Sequence, residues 1–113
     1  MSTAITLARP YARAAFELAG SRHALGEWAD KLALAAQVAL DPRVIALFGD
    51  PRAANSQLAA LVMPENESAD SEFAHFLQVL ANNGRLPVLP EIGALFVELK
   101  NEAERVLKVS VRS

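Results

Sequence analysis

The residues that could do chemistry in this sequence are few and widely separated. The 113 residues include two histidines, His23 and His75, and no cysteine. Because the histidines are far apart along the chain, they are interpreted as surface or helix-end residues rather than as metal ligands or catalytic bases. The lack of cysteine excludes disulfides, thiolate metal sites and cysteine nucleophiles.

The acidic residues also fail to suggest a catalytic site. Glu65 and Glu67, like Glu102 and Glu104, are spaced by two, which places their side chains on different sides of a helix. General acid–base catalysis needs carboxylates that share a cleft, so these residues are interpreted as solvated charges. There is no glycine-rich phosphate loop and no G-x-S-x-G motif. The sequence therefore predicts no catalytic residue, no bound cofactor, no metal ligand and no enzymatic activity.

Composition and charge favour one small globular domain. Hydrophobic residues make up 52% and charged residues 21% of the chain, and the net charge is −2. A nucleic-acid-binding protein would normally be basic, so no nucleic-acid partner is expected. No apolar run approaches the roughly 18 residues of a membrane span, so no membrane insertion is expected. The first residues resemble neither a signal peptide nor a transit peptide, which favours a bacterial cytoplasmic protein.

Hydrophobic periodicity of 3 and 4 residues predicts six helices, and therefore an all-α, six-helix bundle. The predicted helices cover about residues 3 or 6 to 19, 23–40, 42–48, 51–63, 70–83 and 89–105. Trp28 lies on the apolar face of the second helix and is interpreted as a core residue, near a binding surface at most.

Glycine and proline residues set the expected helix boundaries. Gly20 and Gly84 are predicted to end the first and fifth helices in a left-handed conformation. Asp41 and Asp50 each precede a proline and are predicted to cap the third and fourth helices. Pro10 predicts either a bend or irregular first turns in the first helix.

The last residues change their period. Leu107, Val109 and Val111 alternate with polar residues, which is typical of a strand. Because nothing else in the sequence predicts a strand to pair with it, residues 106–113 are expected to form a strand-like or disordered tail. Residues 1–105 are expected to form the helical domain.

The first helix is apolar around more of its circumference than packing on one core requires. One arc suffices to pack it, and it contains Ile5, Ala8, Ala12, Ala15, Phe16 and Ala19. A second apolar stripe lies beside it and contains Leu7, Tyr11, Ala14 and Leu18. Two explanations remain open: either neighbouring helices cover both arcs, or the second stripe binds a helix of another protein.

The fifth helix shows a weaker form of the same pattern. Its core arc centres on Phe73, Leu77 and Leu80, whereas Val79 lies on the shoulder with Phe76 and Asn83. If the first and fifth helices are neighbours, Val79 extends the stripe that contains Tyr11. Two adjacent helices with apolar shoulders form a groove that can take an amphipathic helix.

Two segments resemble the delta subunit family of F-type ATP synthase, whose mitochondrial member is the oligomycin-sensitivity-conferring protein. The first is residues 8–19, which read ARPYARAAFELA, and the second is residues 76–89, especially LANNGRL at 80–86. The run Glu102, Ala103 and Glu104 before the alternating valines also resembles the family's exit from its first domain. The resemblance covers nearly the whole chain.

The resemblance implies a fold and a function. It implies six helices here and a second α/β domain that this chain lacks, as in an isolated or truncated domain. It implies a non-catalytic stator component of a proton-translocating ATP synthase, peripheral on the cytoplasmic face of the bacterial inner membrane. This domain would bind the amphipathic N-terminal helix of an alpha subunit, and the peripheral-stalk b subunits would bind mainly the missing domain.

Partner-binding residues follow by matching positions. The family's binding surface lies between its first and fifth helices, which implies Tyr11, Ala14, Val79 and Asn83 in this sequence. Leu7 and Leu18 are added from the apolar stripe alone. The alternative is a helical adaptor domain that binds an amphipathic helix of an unrelated partner. A helix-turn-helix DNA-binding protein is disfavoured because none of the six predicted helices is basic.

Overall fold

Six α-helices and one 3-10 helix make up the described part of the chain. The computed structural model describes the backbone of residues 3–112 and the side chains of residues 3–105. The helices are α1 (Thr3–Ser21), α2 (Leu25–Ala39), α3 (Pro42–Phe48), α4 (Asn55–Val62), α5 (Glu72–Asn82), the 3-10 helix (Leu86–Val88) and α6 (Leu89–Arg112). The predicted all-α, six-helix fold is confirmed.

Helix α1 packs closely on the rest of the bundle through a stripe of small residues. Four alanines at helical spacing are fully buried: Ala8, Ala12, Ala15 and Ala19. Their small side chains let α1 lie close to α6, its principal neighbour. The rings of Phe16 and Phe96 meet edge to face at 6.0 Å beside this contact. Pro10 lies within α1, but the helix continues through it from Thr3 to Ser21.

An aromatic cluster joins α2 to α5. The centroid of the Trp28 ring lies 5.1 Å from that of Phe73 and 5.7 Å from that of Phe76. All three side chains are buried. The interpretation of Trp28 as a core residue is confirmed, and its contact with Phe76 fixes where α5 lies.

Helix α5 ends as the sequence predicts. Gly84 has φ +69°, and the Arg85 N–H donates a hydrogen bond of 2.7 Å to the Leu80 carbonyl. This is the Schellman arrangement, in which a left-handed residue lets the chain turn back over the last helical turn. Glycine suits that position because it has no Cβ.

The prediction that Gly20 ends α1 is wrong. The helix continues to Ser21, and the left-handed residue is His23, with φ +55°. The Ala24 N–H donates to the Ala19 carbonyl at 2.8 Å, so this turn has the same Schellman form. In a Schellman turn the left-handed residue is the one just before the N–H that bonds back to the helix. Here that N–H belongs to Ala24, so the left-handed residue is His23.

Replacing His23 with glycine should therefore stabilise the fold. A left-handed conformation costs a residue with a Cβ about 1–2 kcal/mol, and glycine's greater freedom in the unfolded chain offsets part of the gain. We expect the free energy of unfolding to rise by about 0.5–1 kcal/mol, measured by urea denaturation. Gly84→Ala is the reverse control and should destabilise. Loss of stability in His23→Gly would contradict the assigned turn.

Only one of the two Asp-Pro pairs begins a helix as predicted. Asp41 caps α3 as predicted, accepting a hydrogen bond of 2.8 Å from the Arg43 backbone N–H. Hydrogen bonds from the Arg43 side chain and backbone lower the pKa of Asp41 to about 2. The prediction that Asp50 begins the fourth helix is wrong: Asp50 bonds the Arg52 N–H in a turn, and α4 begins at Asn55. The same local motif therefore forms in both places, but a helix follows directly only after Asp41.

Residues 106–113 were expected to form a strand-like or disordered tail, and the described backbone as far as residue 112 is helical. Helix α6 continues to Arg112, and Ser113 lies outside the described residues, as do the side chains of residues 106–112. A helix satisfies its backbone hydrogen bonds locally, whereas a strand needs a neighbour. Within residues 3–112 there is no strand that could act as such a neighbour.

Glu67 is not a solvated charge, so the interpretation of the acidic residues is wrong at this position. Its side chain is only 7% exposed and accepts a bond of 2.9 Å from Lys31 Nζ, which lies 5.7 Å from the Phe73 ring centroid. Burial alone would raise the pKa of Glu67, but hydrogen bonds from Ser71 and Lys31 outweigh it and lower that pKa. The loop before α5 is thus held over the aromatic cluster, whereas Glu65 is exposed as predicted.

Glu67→Gln should lower the free energy of unfolding by about 1–2 kcal/mol at pH 7, because a charge-assisted hydrogen bond is lost. The folded-state pKa of Glu67 is lowered, so its contribution is complete above its ordinary value of 4.5 and is lost as pH falls through the folded value. Urea denaturation at pH 7 and at successively lower pH should show the difference shrinking. The control Glu65→Gln should change little; an equal loss from Glu67→Gln at every pH would contradict the assignment.

Candidate functional site

An open groove with a volume of about 560 Å³ lies between α1 and α5. It is called the α1/α5 groove here. Its lining residues are Pro10, Tyr11, Ala14 and Leu18 of α1, and Glu72, His75, Phe76 and Val79 of α5.

The two walls of the groove run in opposite directions. Arg22, just after α1, donates two hydrogen bonds to Glu72 at the start of α5, at 3.0 and 3.3 Å. Leu18 therefore lies at the same end as Glu72. Tyr11 lies at the other end with Val79.

The residues that α1 and α5 bury in the core determine which of their residues face each other at the surface. The alanine stripe of α1 faces the core, which turns Tyr11, Ala14 and Leu18 towards α5. On α5, Phe76 is buried beneath the groove, where it contacts Trp28. The groove thus has a buried aromatic base and apolar walls.

The walls remain accessible. Val79 is 48% exposed, and Ala14 is also exposed, whereas Tyr11 and Leu18 are half-buried. Neighbouring helices therefore cover Tyr11 and Leu18 only in part, and they leave Ala14 exposed.

The structure brings together four of the six predicted partner-binding residues. Tyr11, Ala14, Leu18 and Val79 line the groove. Leu7 and Asn83 do not: Leu7 is half-buried one turn before Tyr11, and Asn83 is exposed just after α5. Both lie beyond the same end of the groove.

Sequence reasoning did not assign four lining residues to the site, although it placed Phe76 on the same shoulder of the helix as Val79. Glu72, His75 and Phe76 lie seven, four and three residues before Val79 on the same side of α5, and Pro10 precedes Tyr11. The spacing from Val79 could have identified the α5 residues, since residues three, four and seven apart share a helix face. His75 is exposed, as predicted, but it also belongs to the groove.

The groove suits apolar contact rather than reaction chemistry. Glu72 is its only acidic or basic side chain apart from His75, and both Glu72 oxygens accept bonds from Arg22. Among the residues with described side chains, no three His, Asp or Glu residues form a group that could hold a metal ion. No helix in the described region is both long and apolar enough to cross a membrane.

Two other surface depressions differ in character. The one between α1 and α6 has a volume of about 210 Å³ and is bordered by charged residues, among them Arg9, Arg13, Glu98 and Glu102. The one between α4 and α5 has about 260 Å³ and is lined largely by small residues. Neither combines the size and large apolar side chains of the α1/α5 groove.

The comparisons with known proteins agree with one another. A family model described as ATP synthase delta (OSCP) subunit matches residues 7–113. Over 113 residues the chain is 47% identical to proteins named ATP synthase subunit delta from Stenotrophomonas maltophilia and Xanthomonas campestris pv. campestris, and 46% identical to one from Xanthomonas oryzae pv. oryzae. These matches cover 100% of this chain, which spans 63% of the length of each of these curated relatives. The chain belongs to the ATP synthase delta (OSCP) subunit family.

Proposed function

We propose that this chain is a non-catalytic stator component of an F-type ATP synthase. Its helical domain, residues 1–105, binds the amphipathic N-terminal helix of an alpha subunit in the α1/α5 groove. The observation that carries the proposal is the accessible apolar groove lined by Tyr11, Ala14 and Leu18 of α1 and by Val79 of α5. Family membership supplies the partner's identity.

The shape of the groove supports a helical ligand. Two antiparallel helices with apolar sides and a buried aromatic base match the mode in which an amphipathic helix lays its apolar face into a groove. A helix of about 20 residues that used the groove and its borders would bury on the order of 1,000–1,500 Å², at the low end of stable interfaces. Ordering a free peptide costs roughly 2–5 kcal/mol, which a well-packed apolar contact can offset.

Binding of the alpha subunit would serve a stator role in the whole ATP synthase. By holding an alpha subunit, the domain links the catalytic head to the peripheral stalk, so that the head does not turn with the rotor. Contacts with the stalk's b subunits belong mainly to a second domain after residue 105, in keeping with the longer relatives. The site of action is the cytoplasmic face of the bacterial inner membrane.

A peptide titration tests the proposal. Trp28 is the only tryptophan and lies 5.7 Å from Phe76 at the base of the groove, so its fluorescence should report occupancy. A peptide of about 20 residues from the N-terminus of the same synthase's alpha subunit should produce a saturable change. A peptide of the same composition in scrambled order should not. No binding near millimolar peptide would overturn the proposal; binding of an unrelated amphipathic helix instead would favour the adaptor alternative.

A further inference from the structure

We propose that the groove recognises three apolar side chains along two turns of the partner helix, spaced i, i+3 or i+4, and i+7. The middle side chain is the largest and lies against Ala14. This inference rests on the proposed function and adds to it the pattern and register of the ligand.

The length of the walls sets the number of turns. Tyr11 to Leu18 on α1 and Glu72 to Val79 on α5 each cover seven residue-to-residue steps, about 10 Å at 1.5 Å per step. Leu7, one turn before Tyr11, does not line the groove. A helix lying between these walls therefore presents two turns to them, which is three positions of one face.

The shape of the α1 wall sets the size of the middle side chain. Tyr11 and Leu18 are large and stand at the two ends, whereas Ala14 between them is small and exposed. The wall therefore has a notch at its centre. A large apolar side chain from the partner fills this notch, and smaller ones fit beside Tyr11 and Leu18.

Charge favours an apolar stripe over a charged one. Glu72 carries the groove's only fixed charge, and Arg22 already occupies both of its oxygens. A partner charge directed into the groove would lose hydration without gaining an unpaired counter-charge. The charged side chains of the partner helix therefore remain on its outer face.

A complementary pair of substitutions tests the register. Ala14→Leu fills the notch and should weaken binding of the unmodified alpha-subunit peptide about tenfold. Peptides in which each apolar residue of the stripe is replaced in turn by alanine are then titrated against the wild type and Ala14→Leu. The middle-alanine peptide should bind the wild type most weakly of the set, and it should bind Ala14→Leu at least fivefold better than the wild type.

The controls separate this inference from the proposed function. Ala33→Leu makes the same change at an exposed position of α2 and should leave binding unchanged. The inference is wrong, and the proposed function stands, if the unmodified peptide binds the wild type but no alanine peptide binds Ala14→Leu better than the wild type. The same conclusion follows if every alanine peptide gains affinity for Ala14→Leu equally. If the unmodified peptide does not bind, or if self-association of this chain fills the groove instead, both are wrong.

Discussion

Tyr11→Ala should weaken binding of the alpha-subunit peptide about 30-fold, or roughly 2 kcal/mol, while the domain stays folded. Tyrosine is typical of binding hot spots because its flat ring buries a large apolar area at a low cost in conformational entropy. Tyr11 and Val79 both line the α1/α5 groove. Because the ring is half-buried and packs against the core, the free energy of unfolding should fall by only about 1 kcal/mol.

Two control variants locate this effect. Tyr11→Phe keeps the ring and should retain most of the affinity, which identifies the apolar ring as the anchor. Leu7→Ala truncates a half-buried residue one turn away on the same helix and should change the affinity by less than twofold. Equal losses from Leu7→Ala and Tyr11→Ala, measured by isothermal titration calorimetry, would show that the contact extends past the groove. Unchanged affinity in Tyr11→Ala would contradict its role as an anchor.

Phe96→Ala should lower the free energy of unfolding by about 3–5 kcal/mol, as expected for truncating a fully buried phenylalanine. Phe96 is 0% exposed and meets the Phe16 ring edge to face where α6 supports α1. The substitution leaves a cavity on the opposite side of α1 from the groove. The melting temperature should fall by roughly 10–20 °C, measured by circular dichroism.

Val97→Ala is the matched control for this change. Val97 is the next residue of α6 and is 42% exposed, so its truncation should cost less than about 0.5 kcal/mol. If Phe96→Ala and Val97→Ala have similar effects, α6 does not face α1 as described. Phe96→Leu, which retains more volume, should fall between the two.

The amphipathic pattern predicted most of the fold because it reflects burial directly. The alanine stripe of α1 and the apolar face of α5 are the faces that the structure buries. Gly84 was predictable because its position suits a residue without a Cβ. The family resemblance at residues 8–19 and 76–89 added what periodicity could not, namely a partner.

The mistaken predictions have physical causes. Gly20 was predicted to end α1 because glycine favours the left-handed conformation, but the position of a Schellman turn is fixed by which carbonyl it caps and not by glycine alone. Asp50 has the same local hydrogen bond as Asp41, so the motif did not tell a turn from a helix start. Glu67 was misjudged because it lies in a loop and its partner Lys31 lies on α2, a contact that spacing along the chain cannot show.

The site was partly predictable for a similar reason. Surplus apolar surface on α1 indicated that something must cover Tyr11, Ala14 and Leu18. Which helix faces them depends on the tertiary packing of Phe76 against Trp28, and so His75 and Glu72 were not anticipated. The same packing leaves Asn83 outside the groove, although the family resemblance places it at the binding surface.

Mapping amide chemical shifts during the peptide titration tests the central claim most directly. The account predicts that the largest shifts at saturation fall on Tyr11, Ala14, Leu18 and Val79, with smaller changes at Leu7 and Asn83. The α1/α6 and α4/α5 depressions serve as internal controls on the same molecule. Saturable shifts centred on either of them, with the α1/α5 groove unchanged, would contradict the account.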